Sequence, residues 1–437
     1  MKNQKKLMFG ILIVIIVILY FITLKIFKKK IYLGCLYSKT GTVGRESYAN
    51  FEILKSCLDF ALKEKGLSNQ IEFVYITRDL GDDLNNYYKW VEYCVKNYNV
   101  KYFFGCWRSS ERKKILPLIQ KYNLRLFYPT QYEGQECLNN VYYFGGLPNQ
   151  QLIPGLQYMI SKYSTYRDIY IIGSDYVYPR ESAKIVQNYV KSTYPDHRIA
   201  HIKFYPLNGT NFKDFLDILQ QQNPEGAIII NLINGKSYYD FVKQLYHIKT
   251  ESRQPKWSVY PVISFSIVHF DKEYLLYNRN HYFVTNFTDQ LLSDPVYQLY
   301  YKPHVIQFFE TVKKKHHIKS INDMQYNTYL SAEFFVHVLS ILWAKNYDLM
   351  DVDQFDNHKR VLISRFCGDT TMQQNNHANK IVFINRLTEQ GNLKILYQSF
   401  IDIMPMSFYD KTRPLQCVIA PHTLLKNNNT RIDEFHP

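Results

Sequence analysis

Apolar positions along this chain follow two alternating periods. Residues 31–37, 71–76, 102–104 and 124–127 are short runs rich in aliphatic, β-branched and aromatic side chains, which reads as strands. Between them the spacing becomes helical. Phe51, Leu54, Cys57, Leu58, Ala61 and Leu62 share one face that stops at Gly66, and helices are predicted around 84–96 and over 111–122. A second march starts near Gln150. It predicts a helix to 161, strands at 168–172, 199–204, 227–230 and 258–263, and helices from about 181, at 212–221 and at 237–246. Strand and helix in regular alternation predict an α/β protein with parallel sheets, and two marches predict two similar lobes. Helices at 295–315 and 325–343, a β-rich tail after Asp351 and a polar end at 426–437 complete the chain. No long linker separates the halves, so short crossovers should join lobes that hinge on one another.

Composition changes this picture at the N-terminus. Residues 7–24 carry no charge and lie between Lys2, Lys5, Lys6 and Lys25, Lys28, Lys29, Lys30, a length that nearly spans a bilayer. No small-residue cleavage site follows between Thr23 and Tyr32, so the expectation is an uncleaved anchor and a single-pass membrane protein. A lipidated Cys35 is disfavoured because it falls inside the first predicted strand. Lysines flank both ends, so the charge rule leaves the orientation open.

Seven of the lysines behind the net charge of +15 sit in the first 30 residues, and the rest form no stripe with aromatics. Nucleic-acid binding is therefore not expected. With 46% hydrophobic and 21% charged residues the remainder should fold around sizeable cores. The seven cysteines have no zinc-like spacing. They read mostly as buried thiols, although Cys106 and Cys137 could bridge in an oxidising compartment.

Ligands of open parallel sheets gather at the carboxyl ends of the strands, and three loops there carry suitable chemistry. These are Gly105-Cys106-Trp107-Arg108-Ser109-Ser110, Tyr128-Pro129-Thr130-Gln131-Tyr132-Glu133-Gly134, and Gly173-Ser174-Asp175-Tyr176-Val177-Tyr178-Pro179-Arg180. Helix capping and half-buried packing explain each loop taken singly. Three in corresponding places point to a ligand, with helix-start N–H groups and the Ser109 hydroxyl meeting a carbonyl oxygen. The loop Tyr37-Ser38-Lys39-Thr40-Gly41-Thr42-Val43-Gly44 lacks the ending of a phosphate loop. No HExxH, GxSxG or GxGxxG motif occurs, and His316-His317 reads as a solvated basic patch. The chain is therefore not expected to be an enzyme, and no cofactor or metal is implied.

These loops, extended by Glu111-Arg112-Lys113, by Leu126-Phe127 before the second and Gln135-Glu136-Cys137 after it, by Pro148-Asn149-Gln150 and by Glu181-Ser182, resemble the urea and short-chain amide binding proteins. The match is densest over 103–182 and covers most of 31–410, including Asn375-Asn376-His377. The resemblance implies a type I periplasmic-binding-protein fold, two Rossmann-like lobes each with a parallel central sheet, here preceded by a transmembrane helix. It implies ligand contacts from Trp107, Ser109, Tyr128, Thr130, Tyr176 and Tyr178. Aromatic faces would hold a planar, uncharged amide while hydroxyls and backbone groups bond its edge. Arg108 is adjacent to the set and could point either way.

The expected organisation is an anchor at 1–30, a first lobe at 31–148 and 283–348, a second at 149–282 and 349–425, and a tail at 426–437. The expected function is a membrane-anchored solute-binding protein with an extracytoplasmic domain, delivering urea or a short aliphatic amide to an ABC-type permease. The alternatives are an amide-responsive sensor acting through a regulatory protein partner, or a homologue that keeps the fold with an altered ligand. Two departures from the family stand out: Ser264-Phe265-Ser266-Ile267-Val268-His269 continues into Phe270 rather than acidic residues, and Met324-Gln325-Tyr326-Asn327 lacks a glutamate.

Overall fold

The computed structural model of the chain describes residues 28–136, 138–250, 259–265, 277–278, 281–288, 302–364, 369–373, 375–387, 393–399 and 403–406. The expected anchor at 7–24 and the segment 266–270 lie outside these residues.

In chain order the first march is β1 (Lys29–Leu36), α1 (Gly44–Glu64), β2 (Ile71–Ile76), α2 (Leu84–Tyr98), β3 (Tyr102–Gly105), α3 (Ser109–Lys121), β4 (Arg125–Tyr128) and β5 (Val141–Tyr143). The second is α4 (Leu152–Lys162), β6 (Asp168–Ser174), α5 (Val177–Thr193), β7 (Arg198–Tyr205), α6 (Lys213–Gln222), β8 (Ile228–Leu232), α7 (Ser237–Thr250), β9 (Val262–Ser264) and β10 (Tyr282–Thr285). Then come α8 (Pro303–His316), α9 (Asp323–Ala344), α10 (Val352–Asn357), β11 (Leu362–Ser364), β12 (Asp369–Thr371), β13 (Phe383–Leu387) and β14 (Leu393–Gln398).

The first sheet has the order β2-β1-β3-β4-β5 and is parallel throughout. Every residue of β3, β4 and β5 is buried, Arg125 of β4 through its ion pair with Asp356 at 2.7 Å. Local chemistry sets the helix ends: the Asp83 carboxylate accepts the Asn85 N–H at 2.9 Å to start α2, and Asn99 closes it in the left-handed conformation. The chain returns to this sheet through α8 and α9. Phe335 of α9 sits 5.0–5.3 Å from the rings of Tyr102, Phe104 and Phe127.

The second sheet has the order β14-β13-β10-β9-β8-β6-β7. It is mixed rather than wholly parallel, because β13 runs antiparallel to both β10 and β14. The reason is topological: β10 ends where the chain crosses to the first lobe, and β13 begins where it crosses back. The tail after Asp351 also differs from expectation. It opens with α10, whose start is capped by the Asp351 carboxylate. Leu349, Val352, Phe355 and Ile363 bury in the core of the first sheet, so 349–363 packs there and not with the second lobe.

Three crossings join the lobes, after β5, after β10 and before β13. One side chain ties them together: Asn286 Nδ2 donates to Gln150 O at 3.0 Å and to Ile381 O at 3.1 Å. Gly146 must lack a side chain here, since a Cβ would come within 2.4 Å of Asn286 Oδ1.

Among the described residues no helix is long and apolar enough to cross a membrane, and no group of three or more His, Cys, Asp or Glu is placed to hold a metal ion. Cys35, Cys57, Cys94 and Cys106 are free buried thiols, and Cys137, the partner the sequence allowed for Cys106, lies outside the described residues.

Candidate functional site

In each sheet the strand order reverses at one place, between β1 and β3 in the first and between β6 and β8 in the second. Loops diverge there and leave a crevice at the strand ends. The two crevices meet in a single cleft between the lobes, with a cavity of about 70 Å³. Trp107, Ser109, Thr130 and Gln131 line it from the first sheet's loops. Tyr176, Tyr178, Asn234 and Gly235 line it from the second. Glu46 and Asn50 of α1, with Asn322, Asp323 and Met324 at the start of α9, complete the wall.

The Trp107 loop is shaped by two consecutive residues of positive φ, Gly105 at 115° and Cys106 at 64°. A Cβ on Gly105 would meet Leu36 O at 2.6 Å, so the turn requires glycine. The Glu111 carboxylate then accepts the N–H groups of Trp107 at 2.8 Å and Arg108 at 3.0 Å. These two N–H groups are therefore committed within the lobe and do not meet a ligand carbonyl. Arg108 also turns away from the cleft, pairing with Glu111 at 2.6 Å and Asp82 at 3.2 Å.

Ser109 Oγ donates to Glu133 Oε2 at 2.6 Å. Behind it, the fully buried Arg112 bonds Glu133 at 3.0 Å and Glu136 at 2.8 Å, its guanidinium lying 4.6 Å and 4.4 Å from the ring centres of Tyr128 and Tyr132. Tyr128 is thus a correction to the expected contact set. It is fully buried on Arg112, one layer beneath the wall, while the other five residues line the cleft. Thr130 Oγ1 donates to Cys106 O at 3.1 Å and locks the second loop to the first.

Across the cleft, Tyr176 and Tyr178 lie 6.5 Å apart, and the Tyr176 hydroxyl accepts the Asn234 amide at 3.0 Å. Asn234 is fixed through its backbone N–H to Ser174 Oγ at 2.9 Å. Gln131 spans the lobes, donating to Phe265 O at 2.7 Å.

Sequence reasoning missed Glu46, Asn50, Asn234 and Asp323. A signal existed for Asn50, because Ser47 and Asn50 extend the buried stripe of Leu54, Cys57 and Ala61 with polar residues. Asp323 gave none. Its carboxylate accepts the N–H groups of Asn286, at 3.0 Å, and Phe287, at 2.7 Å, so it clasps the β10 crossing to the cleft wall.

Burial pushes the Asp323 carboxyl up to about 7, against the pull of those N–H groups and of Lys380. A raised carboxyl holds its proton more tightly in the fold. Its contribution to stability is therefore full below the unfolded value of about 4 and is lost as pH rises through about 7. Relative to Asp323→Asn, the natural protein should lose on the order of 3–4 kcal/mol of unfolding free energy over that range. Denaturation of both proteins from pH 4 to pH 8 checks this, and parallel profiles would show a carboxylate ionised throughout.

The profile of the periplasmic binding protein domain family matches residues 31–414. An amino acid ABC transporter substrate-binding protein from Pseudomonas fluorescens shares the fold at a TM-score of 0.68 and 12% identity, over 87% of this chain and 98% of that one. A solute-binding protein from R. palustris in complex with benzoate has a TM-score of 0.68 at 11% identity, over 88% of this chain and 100% of that one. The branched-chain amino acid binding protein LivJ from Streptococcus pneumoniae, in complex with isoleucine, has a TM-score of 0.63 at 13% identity, over 86% of this chain and 100% of that one. At these identities the likeness is one of fold, two lobes around a cleft. With the family match extending from β1 past the last described strand, the chain belongs to the periplasmic binding protein domain family, a family of solute-binding proteins.

Proposed function

We propose that this protein is an extracytoplasmic solute receptor, tethered through residues 7–24, that closes on urea or a short aliphatic amide and presents it to an ABC-type permease. The make-up of the cleft carries this reading. Trp107, Tyr176 and Tyr178 offer aromatic faces to a flat ligand, and Ser109, Thr130, Asn50 and Asn234 offer polar atoms to its edge. Among the described lining residues there is no Lys, Arg or His, while Glu46 and Asp323 are both carboxyl groups. A ligand carboxylate, such as those of benzoate and isoleucine in the related structures, would be buried there without a cationic side chain to offset its desolvation.

The test is calorimetric titration of residues 31–437 with urea, acetamide, isoleucine and benzoate. Saturable heat is expected from urea or acetamide and none from the two carboxylates. Binding of isoleucine or benzoate alone, or no heat from any of the four, would overturn the assignment.

A further inference from the structure

We infer that the cleft ranks ligands by the number of N–H groups they bring, and that guanidinium, the planar cationic isostere of urea, binds in it more tightly than urea. The inference rests on the amide reading of the same cleft and adds what its polar atoms demand.

The hydroxyl protons of the first-lobe wall are already spent. Ser109 gives its proton to Glu133 at 2.6 Å, and the Arg112 contact to Glu133 at 3.0 Å keeps that carboxylate an acceptor. Thr130 gives its proton to Cys106 O, which can only accept. Ser109 Oγ also accepts from Arg112 Nη1 at 3.3 Å, which leaves it one lone pair for a ligand, and Thr130 Oγ1 likewise has only lone pairs left. Asn50 adds an independent sign. Its Nδ2 is held by Glu46 O at 2.8 Å and Met324 Sδ at 3.2 Å, which fixes the amide orientation. Its Oδ1, on a side chain 2% exposed in the cleft wall, is a buried acceptor with no partner in the protein. A buried acceptor left unmade is costly, so the site is completed by a ligand N–H.

The Glu46 carboxyl group extends this acceptor set, and no cationic side chain among the described lining residues opposes it. Acetamide brings one NH₂ group and a carbonyl that needs a donor. Urea brings a second NH₂ with the same carbonyl. Guanidinium has the same flat outline, replaces the carbonyl with a third NH₂ and adds a positive charge. Its bond to the Glu46 carboxylate is charge-assisted, and the faces of Trp107, Tyr176 and Tyr178 attract a cation.

Titration of the full chain at low ionic strength with guanidinium chloride, urea and acetamide, below denaturing concentration, tests the ranking. The expected order is guanidinium over urea over acetamide, about tenfold per step. Glu46→Gln should lower guanidinium affinity about tenfold and urea affinity about twofold. Urea or acetamide binding at least as tightly as guanidinium, or equal losses for both ligands in Glu46→Gln, would overturn the ranking and leave the amide reading standing. Silence from all three ligands would instead remove the amide reading itself.

Discussion

Replacing Arg112 with methionine should lower the unfolding free energy by about 3–5 kcal/mol, the cost of leaving buried charge without its partner. The guanidinium is fully buried, and its fork is divided between two carboxylates, Glu133 at 3.0 Å and Glu136 at 2.8 Å, whose side chains are 0% and 10% exposed. Lys113 is the nearest other cation. It reaches Glu133 only at 3.5 Å from a side chain 40% exposed, so water screens much of its help. Methionine fills the slot between Tyr128 and Tyr132 but pairs with neither carboxylate. Chemical denaturation should show the loss. A combined Arg112→Met, Glu133→Gln, Glu136→Gln protein should recover part of it, because neutral amides are far cheaper to bury than unpaired carboxylates. Arg112→Lys should rescue poorly, since one ammonium cannot reproduce a planar fork. A loss below about 1 kcal/mol in the single variant would mean that the carboxyl groups take up protons or water instead.

The second large effect is on binding. Tyr176→Ala should weaken urea or amide affinity about 10- to 100-fold, the range expected when an anchoring aromatic is truncated. The substitution removes one aromatic wall of the cleft and the hydroxyl that holds the Asn234 amide at 3.0 Å. The ring is only partly buried, so thermal unfolding should move little. Tyr176→Phe separates the two contributions: retention of most affinity assigns the effect to the ring, and a loss equal to that of alanine assigns it to the hydroxyl. Calorimetry measures both variants. Unchanged affinity in Tyr176→Ala would place the ligand against a different wall.

Several parts of this architecture were legible in the sequence because they depend on neighbours a few residues apart. The 71–76 strand coincides with β2, and the stop at Gly66 follows the end of α1 at Glu64. Short β-branched and aromatic runs bounded by turn residues mark the strands and a 3.6-residue apolar stripe marks the helices, and both are set by neighbours a few residues apart. The rule that parallel sheets bind at strand ends then selected loops that do line the cleft, through Trp107, Ser109, Thr130, Tyr176 and Tyr178.

The tertiary structure decided what lies behind those loops. Tyr128 shares the second loop with Thr130, yet it packs onto Arg112, because it is the last residue of β4 and is covered by Arg112 of α3, whereas Thr130 lies beyond the strand end. Asn50 meets Met324 across 274 residues, and Asp323 meets Asn286 across 37. Asn286 joins three crossings that are distant in the chain, and β13 is antiparallel because of where those crossings lie. Local periodicity fixes which face of an element is buried, whereas the partner it is buried against depends on how distant segments cross. The sequence alone therefore determined the strands, the helices and the loops that line the cleft, and only the packed lobes determined which hydroxyls are spent and which carboxyls face the cleft.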